Sequence, residues 1–293
     1  MTNYLRAGLL VSPFFLLLFQ VPPVWADDAP GEDLYESDIQ EQVHVTATRS
    51  SKRDIDIAAA VTAIDEEAIR ESAPDVIAEM LRGAPGAFFQ QTTPGQGIPI
   101  IRGLKGSQVL HMVDGIRLNN ALFRNAPNQY LGLVDSFATR RMEVVRGSQG
   151  SLYGADAMGG VLNILTYEPG YTDLDWQQES SFYGSYDSVD DGLVFNVRTS
   201  GGKQGFGFSG GASYQDHASR QSGSGESLKP SAYESRAADL KFMADVGARS
   251  SLMLSAQAME QPSTPRYDEL VPGFGQTEPS AELYLFEPNR RSL

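Results

Sequence analysis

Cysteine is absent from all 293 residues. That excludes a disulfide scaffold, a thiolate metal site and a cysteine nucleophile. Basic charge is scarce: 23 Lys and Arg stand against 37 Asp and Glu, leaving a net charge of −14. These basic residues form no dense stripe, so the phosphate contacts of a general nucleic-acid binder are not provided for. Long apolar runs are also missing. Ala7 to Phe19 is the one near-continuous stretch, broken by Gly8, Ser12 and Pro13, and it is short of the roughly 20 residues that cross a bilayer as a helix. No later segment reaches that length, so any membrane location would have to rest on β-structure.

What is present points to export. Arg6 precedes the apolar run, Pro22 and Pro23 break it, and Val24-Trp25-Ala26 offers permitted residues at a cleavage site. This is the layout of a secretory signal peptide over residues 1–26. Asp27 to Gln42 then holds seven acidic residues and no basic ones, a composition that cannot bury enough surface to offset its chain entropy. A mobile tether over residues 27–53 is expected. At its centre Glu41, Gln42, Val43, His44, Val45, Thr46 and Ala47 form a short β-branched run with no larger apolar pattern around it. It reads either as a free strand that docks a partner by β-augmentation or as the first strand of the next domain.

Residues 54–167 read as one compact α+β domain. Ala60 to Ile64 predicts a strand, and Asp65 starts a brief helix through Arg70. Ser72-Ala73-Pro74-Asp75 has the spacing of a capping box, with Val76, Ile77, Met80 and Leu81 on one helical face and Gly83 as the stop. Strands follow at Pro99–Arg102, Val109–Val113, Ile116–Leu118, Arg141–Arg146 and Gly160–Thr166. Asp114-Gly115 between two of them is a hairpin signal, because a type I′ turn needs positive φ at both centres.

After Glu168 the texture changes. Five segments, Ser181–Tyr186, Leu193–Ser200, Phe206–Gln215, Ala238–Val246 and Leu252–Glu260, alternate apolar with polar or small residues. Phe206, Phe208, Ala212 and Tyr214 share a face opposite Gly207, Ser209, Gly211 and Ser213; Leu240, Phe242, Ala244 and Val246 lie opposite Asp239, Lys241, Met243 and Asp245. Strands of about ten residues with this alternation predict a membrane β-barrel, with a soluble β-sandwich as the alternative. Residues 168–293 hold too few strands to close such a barrel.

Catalytic signatures are weak. Gly147-Ser148-Gln149-Gly150-Ser151 lacks the Gly-Lys-Ser/Thr ending of a phosphate loop, and His44, His111 and His217 are scattered without ligand spacing. Asp187 to Gly192 evokes a calcium loop, but Val189 at its third position breaks the pattern, leaving an acidic turn between strands. His111, flanked by apolar neighbours, reads as a structural histidine rather than a haem ligand. An enzyme is not expected, and neither a resident cofactor nor a metal is implied.

Five fragments in one order carry a family resemblance: Ile101-Arg102-Gly103, Val113-Asp114-Gly115-Ile116, Met142 to Gly147, Leu152-Tyr153-Gly154 and Gly159 to Ile164. Together they resemble the plug of a TonB-dependent outer-membrane receptor, and Glu41–Ala47 resembles the TonB box that precedes it. The resemblance implies an α+β plug domain followed by antiparallel β-strands of an incomplete transmembrane β-barrel, a Gram-negative outer-membrane location, and TonB of the inner-membrane energy-coupling complex as partner. Such a plug fills a barrel of about 22 strands, so the chain reads as the front part of a receptor. Arg102, Glu143 and Arg146 would then be plug charges that pair with the barrel wall, or within the plug itself. The run from Asn119 to Tyr130 is similar to the plug loop of haem and haemoglobin receptors, making Phe123, Arg124, Asn125, Asn128 and Tyr130 candidate ligand-facing residues. Pro265 to Leu270 is similar to early barrel segments of that group. The implied function is energy-coupled uptake of a scarce ligand such as haem iron or a ferric siderophore; the alternative is a barrel-less periplasmic binding or signalling module.

Overall fold

The computed structural model describes residues 43–44, 46–47, 52–53, 59–91, 93–118, 131–170, 174–247, 250–262, 264–265, 275, 277, 285–286 and 289–292. The expected signal peptide, the acidic part of the tether (27–42), the loop bearing Phe123, Arg124, Asn125, Asn128 and Tyr130, and residues 266–270 lie outside them.

The chain enters through two short antiparallel strands, β1 (Val43–His44) and β2 (Lys52–Arg53). Two small sheets then make the plug. Strands β3 (Ala60–Ile64), β7 (Val109–Val113), β8 (Ile116–Arg117), β9 (Thr139–Arg146) and β10 (Gly160–Thr166) form a five-stranded sheet in the order β3-β9-β10-β7-β8. Within it β10 runs parallel to β7. Strands β4 (Ala87–Gln90), β5 (Ile98–Ile101) and β6 (Leu104–Lys105) form the second sheet. Ile77, Leu81, Ile101, Val109, Leu131, Met142, Val144, Leu162 and Ile164 pack one core. A smaller cluster on the opposite sheet face joins Leu110, Met112, Val145, Ala157 and Val161. Because strand side chains alternate between faces, β7, β9 and β10 feed both clusters, which is why their apolar runs are nearly unbroken.

Helix α1 (Glu66–Ser72) starts as the sequence implies, with the Asp65 carboxylate accepting from the Ala68 amide. The next element differs. Ser72 ends α1 and Ala73 closes it in the left-handed region at φ 40°, so Ser72 to Asp75 is not a capping box. Ile77–Leu81 forms a 3₁₀ helix with no side-chain cap. A five-residue segment cannot recover the cost of nucleating an α-helix, and the Asp75 carboxylate is engaged by Arg220. The Asp114-Gly115 turn is as expected, at φ 50° and 76°. The Asn163 side chain accepts from the Gly115 amide, and Asp114 accepts from Thr166, so the hairpin tip is fixed to the end of β10. A short helix, α2 (Gly150–Tyr153), follows β9.

Beyond residue 176 the chain is a meander of long antiparallel strands: β11 (Gln177–Asp187), β12 (Gly192–Lys203), β13 (Phe206–His217), β14 (Tyr233–Asp245) and β15 (Ser251–Glu260). A pair, β16 (Thr264–Pro265) and β17 (Leu285–Phe286), precedes β18 (Asn289–Ser292), which adds to the edge of β15. The faces divide as the alternation predicts, with the polarity of a barrel rather than of a soluble sandwich. Asn196, Arg198, Ser209, Ser213, Gln215, Ser235 and Lys241 are buried toward the plug. Phe182, Leu193, Phe195, Val197, Tyr214, Leu240, Phe242 and Leu254 face outward and exposed. A polar inside and apolar outside suits a wall with lipid beyond it. Trp176 stacks on Phe206 and Phe208 at one rim, as in an aromatic girdle. Turns at that rim are short (204–205 and 246–250), while 218–232 at the other rim is longer.

Candidate functional site

The described part of the predicted docking segment does not stand clear of the plug. Beyond β1, Thr46 and Ala47 lie buried against the sheet, and Ala47 completes the smaller core cluster. Three bonds hold Thr46. Its amide donates to Glu143 Oε2 at 2.8 Å, its carbonyl accepts from the Tyr153 hydroxyl at 2.6 Å, and its hydroxyl accepts from Asn163 Nδ2 at 2.9 Å. Of the predicted docking residues, Val43 and His44 are therefore in a strand pair and Thr46 and Ala47 are anchored; Glu41, Gln42 and Val45 lie outside the described residues.

Of the plug charges expected to pair with the barrel wall or within the plug, Glu143 and Arg146 bond within the plug. Glu143, fully buried, holds Thr46 and pairs with Arg141 at 3.3 Å. Arg146 donates to the Thr62 hydroxyl and the Pro85 carbonyl, both at 2.7 Å. Arg102 sits at φ 51° in the turn between β5 and β6, with its guanidinium over Gly147. The reason is topological. These residues lie on β9 and on the turn abutting it, and β9 is flanked on both sides by plug strands.

Contacts between plug and wall come from residues the motifs did not single out. Lys241 Nζ on β14 reaches Asp114 Oδ2 at 3.1 Å and Thr166 Oγ1 at 2.8 Å. Gln261 donates to the Gly95 carbonyl at 2.7 Å. Arg198 on β12 crosses Gly211 to reach Asp239 on β14, since the three are in register across the sheet, and its guanidinium lies 4.5 Å from the Tyr167 ring centre. A side chain at 211 would occupy that guanidinium's place, 2.7 Å from Nη2. Asp135 of the plug bonds Ser213 of the wall, and burial pushes its carboxyl up to about 6. The one sequence signal for these contacts was lysine, arginine and aspartate on the small-residue face of an alternating strand, where a lipid-facing charge would be untenable.

Between α1 and β11–β13 lies a cavity of about 980 Å³, lined by Glu66, Arg70, Ser136, Arg140, Asn196 and Arg198 among others. Its charges are mixed. Gly207-Phe208-Ser209-Gly210-Gly211 has the spacing of a hydrolase elbow, but Ser209 sits within β13, pairing with β14, rather than at a strand-to-helix turn. His111 is fully buried on β7, where burial lowers its pKa to about 4 and keeps the ring neutral. Among the described residues no group of three metal-ligating side chains converges.

Residues 53–161 match the family described as TonB-dependent Receptor Plug Domain. The vitamin B12 transporter BtuB of Photobacterium profundum is 35% identical over 128 residues, 43% of this chain and 21% of that protein; the protein of the same name from Vibrio vulnificus (strain CMCP6) is 33% identical over 146 residues, 47% of this chain and 23% of that protein. The chain thus spans about a fifth of the length of these relatives. Solved structures with a similar fold include the siderophore receptor PirA of Acinetobacter baumannii (TM-score 0.55, 20% identity, 69% of this chain and 31% of that one). Another is the pyoverdine receptor FpvA of Pseudomonas aeruginosa (TM-score 0.55, 18% identity, 77% of this chain and 31% of that one). These names are those of transporters and receptors, not of enzymes. Residues 53–161 thus carry a plug domain like that of TonB-dependent receptors, followed by a sheet with an outward apolar face.

Proposed function

We propose that the protein takes part in energy-coupled uptake of a scarce ligand across the outer membrane, with residues 41–47 as the docking site for TonB. The observation that carries this reading is the anchoring of Thr46. A pull applied at β1 acts directly on Glu143, Asn163 and Tyr153, which belong to β9, β10 and α2 of the plug. Val43 and His44, paired with Arg53 and Lys52, form a small unit that a partner strand could displace, with main-chain bonds supplying the affinity.

For the ligand, the relatives name vitamin B12 and siderophores. Both are metal chelators or chelates too large for simple diffusion, and haem belongs to the same class. The haem reading rests on the 119–130 loop and the segment after Pro265. Nothing favours the barrel-less alternative, because the exposed apolar faces of β12 to β15 need lipid. Equilibrium binding of cyanocobalamin, ferric siderophores and haemin to the intact receptor tests the ligand class. Saturable binding of one of them supports the proposal, and no binding of any refutes that class. Crosslinking from a photoreactive residue at position 43 to the periplasmic domain of TonB tests the docking site.

A further inference from the structure

At the rim opposite Trp176, one cluster, buried at His217 and Asp190 and half-buried at Asp75 and Arg220, joins three parts of the molecule. Arg220, on the 218–232 connection after β13, bonds Asp75 of the plug at 3.2 Å through Nη2 and Asp190 of the β11–β12 turn at 3.4 Å through Nε. His217 has a side chain 1% exposed. Its Nδ1 lies 3.2 Å from both Asp190 oxygens, its Nε2 lies 3.9 Å from Asp75 Oδ1, and its ring stacks on Tyr233 at 4.6 Å and 8°. Close packing leaves no slack: a Cβ at Gly192 would meet His217 Nδ1 at 2.5 Å, and one at Gly95 of the plug would meet the Tyr233 ring at 2.5 Å. Burial raises the Asp75 pKa, offset by His217 and Arg220, and raises that of its neighbour Glu79.

The connection itself is ordered as a hairpin. Gln221 bridges Ser227, Leu228 donates to the Arg220 carbonyl, and the Arg220 amide donates to the Ser231 hydroxyl. Its tip, 223–226, is exposed. Ala218 and Gln221 also bond the 188–191 turn. A hydrogen-bonded, exposed arm is therefore rooted on a residue whose charge is shared by Asp75 of the plug and Asp190 of the wall. Asp75 sits directly between α1 and the 3₁₀ helix at Ile77–Leu81, so any shift of Arg220 acts on both.

We propose that the 218–232 hairpin is a sensor arm on the outer rim, wired to the plug through the Arg220–Asp75 ion pair. A ligand or lid pressing on the arm changes the packing of residues 73–82 without touching the plug. The pair is only partly exposed, 29% and 24% on its two sides, and Arg220 and His217 both tie it to the buried Asp190 of the wall. The inference concerns the wiring and stands whichever ligand the receptor takes.

The test loads the arm with a probe of known identity. Gly223→Cys is exposed, with open space around it, and this chain has no other cysteine. Biotinylation there followed by streptavidin should change hydrogen exchange of residues 73–82 several-fold in the intact receptor, with β9 and β10 unchanged. In the Asp75→Asn background the same loading should leave 73–82 unaltered. An unchanged 73–82 segment on loading, or an equal change with Asp75→Asn, would overturn the proposal. Should Asp75→Asn fail to fold, Arg220→Gln cuts the same wire from the wall side and carries the same expectations.

Discussion

Replacing Glu143 with glutamine should loosen the anchored Thr46–Ala47 segment while leaving the plug folded. The Thr46 amide donates to Glu143 Oε2 at 2.8 Å, and Thr46 and Glu143 are 1% and 0% exposed. A hydrogen bond to a charged group contributes about 1.5–3 kcal/mol, against about 0.5–1.5 for a neutral pair. Glutamine keeps a carbonyl oxygen in the same place, so the loss is the difference, about 1–1.5 kcal/mol. The Arg141 pair at 3.3 Å adds little, because that arginine is 24% exposed and partly screened by solvent. A change of about 1.4 kcal/mol is about tenfold in an equilibrium constant. Amide exchange at Thr46 should therefore accelerate about tenfold in Glu143→Gln, with the centres of β9 and β10 unchanged. Unaltered protection at Thr46, or equal loosening across both strands, would refute the reasoning.

Three further outcomes are expected. Asp135 has a folded pKa of about 6, above its unfolded value of 3.8, so the folded state holds the extra proton between those values and stability falls as pH rises through the window. Asp135→Asn should flatten that slope, recovering up to about 3 kcal/mol above about pH 6 by the conversion of about 1.36 kcal/mol per unit; thermal unfolding of the receptor in acid and at neutral pH would read it. Gly95→Ala should destabilise the joint between plug and wall. The position is at φ 79° against the Tyr233 ring, a left-handed backbone costs about 1–2 kcal/mol and overpacking about 1–3, and the midpoint of thermal unfolding should drop. Val197→Arg puts a charge on the outward face in the middle of β12, costing about 2–4 kcal/mol at the bilayer midplane. Its folded fraction in lipid should fall across a urea titration, whereas a soluble sheet would tolerate the change.

The fold was largely legible because its period-two alternation is strong. Period-two alternation in Phe206–Gln215 and Ala238–Val246 assigned both the strands and their faces, since one face meets lipid and the other a polar lumen. The Asp114-Gly115 turn followed from backbone sterics alone. Ser72 to Asp75 was misleading because a cap pattern is local, whereas Asp75 is committed to Arg220, 145 residues away. The same limit applies to the site. Glu143 and Arg146 stand out by motif, and their bonds fall within the plug. Lys241, Arg198 and Gln261, which join wall to plug, stand in no motif, and their partners depend on how β12 to β15 wrap the plug. Anchoring of Thr46 was not legible either, because Glu143, Tyr153 and Asn163 converge on it only after β9, β10 and α2 assemble.

Deleting Glu41 to Ala47 from the intact receptor, and measuring ligand uptake alongside ligand binding in the same cells, tests the central reading most directly. Uptake should be abolished while binding at the cell surface persists, because the coupling segment is lost and the plug and wall are not. Uptake that continues at the unmodified rate would contradict a TonB-driven pull through Thr46.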